Sequence, residues 1–200
     1  VTDMQRILPY PYINHATRCH LWNEVGQVLL EHFDGSAWKL VEASQGSLVK
    51  LVSLLVQYFP GFRDATTDLI CLKRAQICAG DLRAALGTVW MQLQEKYDTT
   101  TTTDDLHQLT TFADYRVPQL LRDIGVLEYV PVLQAAVDAQ HELAQHSRAE
   151  GCIRAATVVA VEQLTALLQQ QNPDWTACQV DWYLWQIGDQ KELAVELRPH

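Results

Sequence analysis

Apolar residues in this chain recur at intervals of three and four, and that spacing constrains the fold more than any other feature. Leu48, Leu51, Leu54, Leu55 and Phe59 fall on one side of a helix that Pro60-Gly61 ends. Leu21, Trp22, Val25, Val28 and Leu29 make a similar stripe upstream. The stretch from Ile70 to Trp90 reads as helix with a break at Gly80 or Gly87. Pro118 suits the first turn of a helix, which Leu120, Leu121 and Ile124 continue and Gly125 stops. Val132 to Ala144 reads as a further helix. Cys152 to Gln169 is the most regular, with Ile153, Ala156, Val159, Ala160 and Leu164 on related faces, and Asn172-Pro173 breaks it. Asp174 is placed to cap a last helix that carries Tyr183, Leu184 and Trp185. Thr99 to Thr103 reads as a loop, after which Asp104 or Asp105 caps a short helix. Strand alternation and repeats at a solenoid period are both absent from the sequence. The expected fold is all-α, a single helical domain over residues 1–200.

Charge and cysteines narrow the function classes. The net charge of −9 disfavours binding to a long phosphate backbone, which needs a basic surface, but leaves room for one nucleotide in a local pocket. Hydrophobic residues make up 48% of the chain and charged ones 20%, a balance that favours a packed core over disorder. Cys19, Cys71, Cys78, Cys152 and Cys178 are odd in number and contain no CxxC pair, so a disulfide framework or zinc site is not expected and a reducing, cytoplasmic compartment is. The seven histidines show no HExxH-type spacing, and no metal or other cofactor is expected. No apolar run reads as a membrane span, and Val1-Thr2-Asp3 does not open a signal peptide. The chain does not begin with Met, and the expectation is that it starts inside a longer gene product.

Three blocks mix ionisable and apolar residues in a way that neither a solvated loop nor a plain core needs. They are Leu72-Lys73-Arg74-Ala75-Gln76-Ile77, Phe112-Ala113-Asp114-Tyr115-Arg116-Val117-Pro118-Gln119 and Asp181-Trp182-Tyr183-Leu184-Trp185. Each has a bland reading. Asp114 pairs with Arg116 or a helix amide; Lys73 and Arg74 are surface charges with buried stems; Asp181 sits on an amphipathic helix with aromatics in the core. The sharper reading of Asp114 is a buried carboxylate that stabilises positive charge in a transition state, orients or deprotonates water, or attacks directly. Lys73 and Gln76 lie one helical turn apart and so can face one pocket.

In this order the three blocks resemble the queuosine salvage family, the queuosine 5′-phosphate N-glycosylase/hydrolases. Weaker similarity lies in Gly35-Ser36, Ser47-Leu48-Val49, Phe59-Pro60-Gly61-Phe62-Arg63-Asp64, Ile153-Arg154-Ala155 and Val161-Glu162. The KRAQ and FADYRVPQ motifs are the specific ones. The resemblance implies a compact helical domain reminiscent of helical DNA glycosylases. It implies hydrolysis of queuosine 5′-monophosphate to queuine, with Asp114 as the catalytic acid group and Lys73 beside it. Asp181 becomes the acid that accepts the donor edge of a deazaguanine, and Phe112, Tyr115 and Trp185 the rings that stack on it. A second acid is left to meet the cationic secondary amine of queuine. Arg116, Arg154, Lys39 and His200 are candidates for the 5′-phosphate, Gln76 for the pocket, and Glu162 for buttressing Arg154 or capping a neighbour rather than reacting. Asp81 reads as a solvated acid.

The chain also departs from the family. Members are longer at both ends, Arg83 stands near a position that is often aromatic, and Gln186 replaces an acid that frequently follows the YLW segment. The expected partner is a small nucleotide, with no tRNA, DNA or membrane; oligomeric state is open. The rivals are a non-catalytic helical module that binds a nucleotide or protein, a nucleic-acid glycosylase, and a plain scaffold that holds Lys73, Asp114 and Asp181 on separate surfaces.

Overall fold

The computed structural model describes residues 14–64, 69–97 and 105–194, and among these it is all-α. The helices are α1 (His15–His32), α2 (Ala37–Ala43), α3 (Leu48–Tyr58), α4 (Lys73–Leu86), α5 (Thr88–Lys96), α6 (Arg116–Asp123), α7 (Pro131–Asp138), α8 (Arg148–Gln169) and α9 (Ala177–Ala194). Short 3-10 turns cover Pro60–Phe62 and Asp105–Gln108. The Thr99–Thr103 loop and His200 lie outside the described residues.

Two cores form, and α9 serves both. In the first, Leu48, Leu51, Leu55 and Phe59 of the α3 stripe pack with Val28, Trp90 and Leu93 from α1 and α5. In the second, Val117 and Leu121 of α6 meet Val161 of α8 and Val180 and Leu184 of α9. Each such aliphatic side chain taken fully out of water contributes about 1.5–3 kcal/mol. Cys178 and Trp182 point from α9 into the first core, while Ala177, Val180 and Leu184 point into the second. At 3.6 residues per turn, Asp181 falls between these two faces.

Several boundaries differ from the sequence reading, each for a tertiary reason. Residue 73, not 70, opens α4, because Leu72 adopts a left-handed conformation (φ 49°). Gly80 does not break that helix: the Trp182 ring lies over it, 3.4 Å from where a Cβ would stand. Gly87, at φ +49°, makes the break. The helix read over Val132–Ala144 is the shorter α7, which gives way after Asp138 to a turn with Gln140 left-handed. Thr176 rather than Asp174 opens α9. Its hydroxyl accepts from the Gln179 amide (3.3 Å) while the Gln179 side chain accepts from the Thr176 amide (2.9 Å), a reciprocal capping box.

Burial corrects two stripes. Trp22 is 58% exposed, and α8 buries Thr157, Val161 and Thr165 while Ala156 and Val159 face out. Helix α8 also corrects the expectation about apolar runs. It is long and apolar enough to cross a membrane by length and composition, with mean hydropathy 1.4 over its most apolar window. Here it packs on α6 and α9 through Val161, with Ala160, Leu164 and Leu168 partly buried, and 17% of that apolar window is buried.

Candidate active site

The Phe59-to-Asp64 segment builds one wall. Arg63 donates to the last carbonyls of α3, Nε to Val56 and Nη2 to Gln57, both at 3.0 Å, and so satisfies a helix C-terminus. The Gly61 amide donates to Glu24 of α1 at 2.7 Å. Asp64, fixed in this way, takes the returning chain: its carbonyl accepts from the Cys71 and Leu72 amides, and its Oδ2 accepts from the Lys73 amide at 3.1 Å. Thus Asp64 caps α4 and sets where Lys73 begins.

The opposite wall is the strap Thr110–Asp114, which has no helix or sheet to satisfy its backbone. Three helices do so instead. The Thr110 amide donates to the Gln76 side chain of α4 (2.9 Å), which in turn donates to the Cys71 carbonyl (2.8 Å). The Thr111 hydroxyl and the Phe112 amide (2.9 Å) both donate to Asp181 Oδ1 of α9. The Ala113 carbonyl accepts from Arg154 Nε of α8 at 3.2 Å. Asp114 Oδ1 then accepts from the Arg116 and Val117 amides at 2.8 and 3.3 Å, which places the carboxylate at the positive end of α6.

Lys73 and Asp114 meet across the gap, with Nζ 3.7 Å from Oδ2. The Asp114 side chain is 10% exposed and that of Lys73 is 27% exposed. Both line a cleft of about 1100 Å³ that runs between the start of α4, the strap, α6, the α7–α8 connection and α8. A nucleotide fits a site of this size, since small-molecule pockets commonly run to several hundred cubic ångströms. Tyr115, Tyr129 and Gln119 also line it, and Tyr115 is well exposed to a ligand.

The other expected site residues take distinct places. Asp181 is 3% exposed and stands behind the strap rather than in the cleft wall. Burial pushes its pKa up to about 6, partly opposed by the Thr111 and Phe112 hydrogen bonds, with the Asp114 charge raising it and Lys73 lowering it. Lys73 and Asp114 thus share the cleft wall, while Asp181 lies across the strap from them and accepts from the strap's Phe112 amide. Phe112 is buried, its ring 6.1 Å from that of Trp182, so it packs the core and does not face a ligand. Gln76 is likewise buried and used up by the strap.

Arg116 turns away from the cleft lining toward α9. It pairs with Asp189 and stacks on Trp185, 4.4 Å from the ring, so the two residues expected at phosphate and base engage each other. Gly188 makes room for it: a Cβ there would come within 3.0 Å of Arg116 Cγ. Lys39 of α2 pairs with exposed Asp34 in the preceding turn and is not in the cleft lining. Asp81 is exposed, as a solvated acid is. Glu162 is not the partner of Arg154; that partner is Asp64, with Nη1–Oδ1 at 2.9 Å and Nη2–Oδ2 at 2.5 Å. Burial opposes the charge on Asp64, but the Arg154 hydrogen bonds and charge, with the Lys73 amide, outweigh it and hold the carboxyl below its usual range. The sequence carries no local signal for this pair, since its members lie 90 residues apart. Among the described residues no group of three or more His, Cys, Asp or Glu is placed to hold a metal ion.

An ion-paired carboxylate at a helix N-terminus, set in the wall of a nucleotide-sized cleft in an all-α domain, defines a class of site that can stabilise a developing cation. The chain belongs to the queuosine salvage protein family, whose model it matches over residues 5–200. It is 36% identical over 191 residues to the queuosine 5′-phosphate N-glycosylase/hydrolase of Dictyostelium discoideum, covering 94% of this chain and 56% of that protein. The protein of the same description from Sphaerobacter thermophilus is 37% identical over 180 residues, covering 86% and 51%. That from Bos taurus is 34% identical over 190 residues, covering 89% and 52%. The chain therefore spans about half the length of the curated relatives it matches.

Proposed function

We propose that this chain carries the reactive centre of an N-glycosyl hydrolase that cleaves queuosine 5′-monophosphate into queuine and ribose 5-phosphate. The observation that carries the proposal is the Lys73–Asp114 pair at the cleft wall, inside a chain matched almost end to end by the family. The bond from ribose C1′ to the base nitrogen breaks, and its electron pair leaves with the base. The oxygen of water bonds to C1′, and a proton from that water ends on the base. Positive charge grows on the ribose as the bond lengthens, and a fixed carboxylate facing C1′ lowers that state more than the ground state.

Asp114 suits this task because its Oδ1 is held by two backbone amides while its Oδ2, near Lys73, faces the cleft. The carboxylate can act as electrostatic stabiliser, as base for water or as nucleophile. A pre-steady-state burst of queuine separates the last from the other two. Tyr115 offers an exposed ring for stacking. No cofactor enters this scheme. The net charge of −9 favours a free nucleotide over tRNA or DNA as the substrate, and the cysteine pattern favours the cytoplasm, which cell fractionation tests.

The deciding experiment is mass-spectrometric detection of queuine after incubation of the purified chain with queuosine 5′-monophosphate, beside Asp114→Asn. Release by the parent alone supports the reading. Binding of queuine without release supports instead a non-catalytic nucleotide-binding module.

A further inference from the structure

Asp64 and Arg154 each hold something besides one another. Asp64 Oδ2 accepts the Lys73 amide at 3.1 Å, and Arg154 Nε donates to the carbonyl of Ala113, the residue before Asp114, at 3.2 Å. A continuous path therefore runs from the Lys73 backbone through the Asp64 carboxylate and the Arg154 guanidinium to the Asp114 backbone. The Lys73–Asp114 side-chain contact at 3.7 Å closes it into a ring. Three otherwise independent pieces, the loop before α4, the strap and α8, are thereby locked at one spacing.

We infer that the Asp64–Arg154 pair is the positioning device for Lys73 and Asp114, not a phosphate-binding group. This deepens the hydrolase proposal and rests on its reading of Lys73 and Asp114 as the reactive pair. Both clamp side chains are only 13% exposed. Every nitrogen of Arg154 is engaged: Nε by Ala113, Nη2 by Asp64, and Nη1 by Asp64 and, at 3.8 Å, by Glu150. Three of its five N–H donors are committed to Ala113 and Asp64, and its charge is already balanced by the Asp64 carboxylate, which suits it to hold the clamp rather than a phosphate. Arginine is required in the role because one planar fork must satisfy a carboxylate side-on and a carbonyl from its third nitrogen; a lysine ammonium reaches only one of the two. Neutralising Asp64 with Arg154 also leaves the field at Asp114 to Lys73 and the α6 amides.

The test compares Arg154→Lys and Asp64→Asn with the parent on queuosine 5′-monophosphate. Asn keeps an acceptor for the Lys73 amide and nearly the same shape, so it separates lost positioning from lost folding. Each variant is expected to lose about 10- to 100-fold in kcat with KM within about threefold, the signature of a displaced reacting group. The double variant Asp64→Asn/Arg154→Lys is expected to cost no more than the worse single change, since the two act as one unit. A raised KM with kcat kept in Arg154→Lys, and an unaffected Asp64→Asn, would make Arg154 a phosphate ligand and overturn the inference.

If the parent releases no queuine, the hydrolase reading fails on its own and the clamp is judged by stability. The coupling between Lys73→Met and Asp114→Asn, measured by denaturant unfolding, is expected to vanish when Arg154 is replaced by Lys. Unchanged coupling overturns the clamp.

Discussion

The two faces of the Thr110–Asp114 strap carry two carboxylates in opposite electrostatic circumstances. On the cleft side, Asp114 sits against a lysine ammonium and two helix amides, with its charge compensated and its free side toward solvent. On the core side, Asp181 is almost fully buried, takes a hydroxyl and one amide on a single oxygen, and has no cation in hydrogen-bonding contact among the described residues. Burial, with the Asp114 charge adding to it, pushes its pKa up to about 6 against the opposing Thr111 and Phe112 hydrogen bonds and the Lys73 charge. One strap thus places an ion-paired acid in front of a buried one that gains or loses its proton near neutrality.

The largest effect expected from breaking this contrast is on the front face. Asp114→Asn keeps the Oδ1 acceptor for the α6 amides, so the fold should hold, but it removes the charge that faces the cleft. Queuine release is expected to fall about 10³-fold or more, with circular dichroism and melting close to the parent. A folded Asp114→Asn with near-parent turnover would remove Asp114 from the chemistry. The same variant sharpens the comparison, because loss of the front charge should let the Asp181 proton leave at lower pH, visible as a shift in the pH dependence of melting.

Much of the front face was legible in the sequence, and little of the back. Apolar spacing reports helices, and the KRAQ and FADYRVPQ blocks brought Lys73 and Asp114 to notice. Local pattern cannot say which wall a side chain joins. Gln76 is one turn from Lys73, yet faces the strap instead of the cleft, because the strap has unpaired backbone groups that only a long amide can meet. Arg116 sits inside the specific motif, yet α9 brings Trp185 and Asp189 to it from the far end of the chain. The register of α8 was misread because its buried line is Thr157, Val161 and Thr165, with two of those hydroxyls turned to the helix's own carbonyls. A count of aliphatic residues overlooks such threonines.

The next effect is on the back face and has the opposite sign for stability. The folded pKa of Asp181, about 6, lies above the 3.8 of an ordinary Asp. The folded state therefore binds the proton more tightly than the unfolded chain. The stabilisation this gives is fully present below about pH 4 and is lost as pH rises through about 6. At 1.36 kcal/mol per pH unit, the loss is at most about 3 kcal/mol by pH 7. Asp181→Asn cannot ionise, so its melting temperature should exceed the parent's at pH 7–8 and the slope between pH 4 and 6 should flatten. A stability gain that accompanies lost turnover would mark Asp181 as an acid kept for function at a cost in stability. A variant that melts below the parent at pH 7.5 would show that Asp181 is a structural hydrogen-bond acceptor and nothing more.

The smallest effect isolates one hydrogen bond. Thr111 is 1% exposed and its hydroxyl donates to Asp181 Oδ1. Thr111→Val preserves shape and removes that donor, which opposes the upward shift of Asp181. The donor matters most when the carboxyl is charged, since hydrogen bonds to charged groups contribute about 1.5–3 kcal/mol, and neutral ones about half that. Thr111→Val is accordingly expected to lose about 2 kcal/mol at pH 8 and less at pH 4.5, with its unfolding slope extended to higher pH than in the parent. Equal losses at both pH values would mean that the hydroxyl serves packing of the strap rather than the charge on Asp181. The contrast between the two faces would then rest on burial alone.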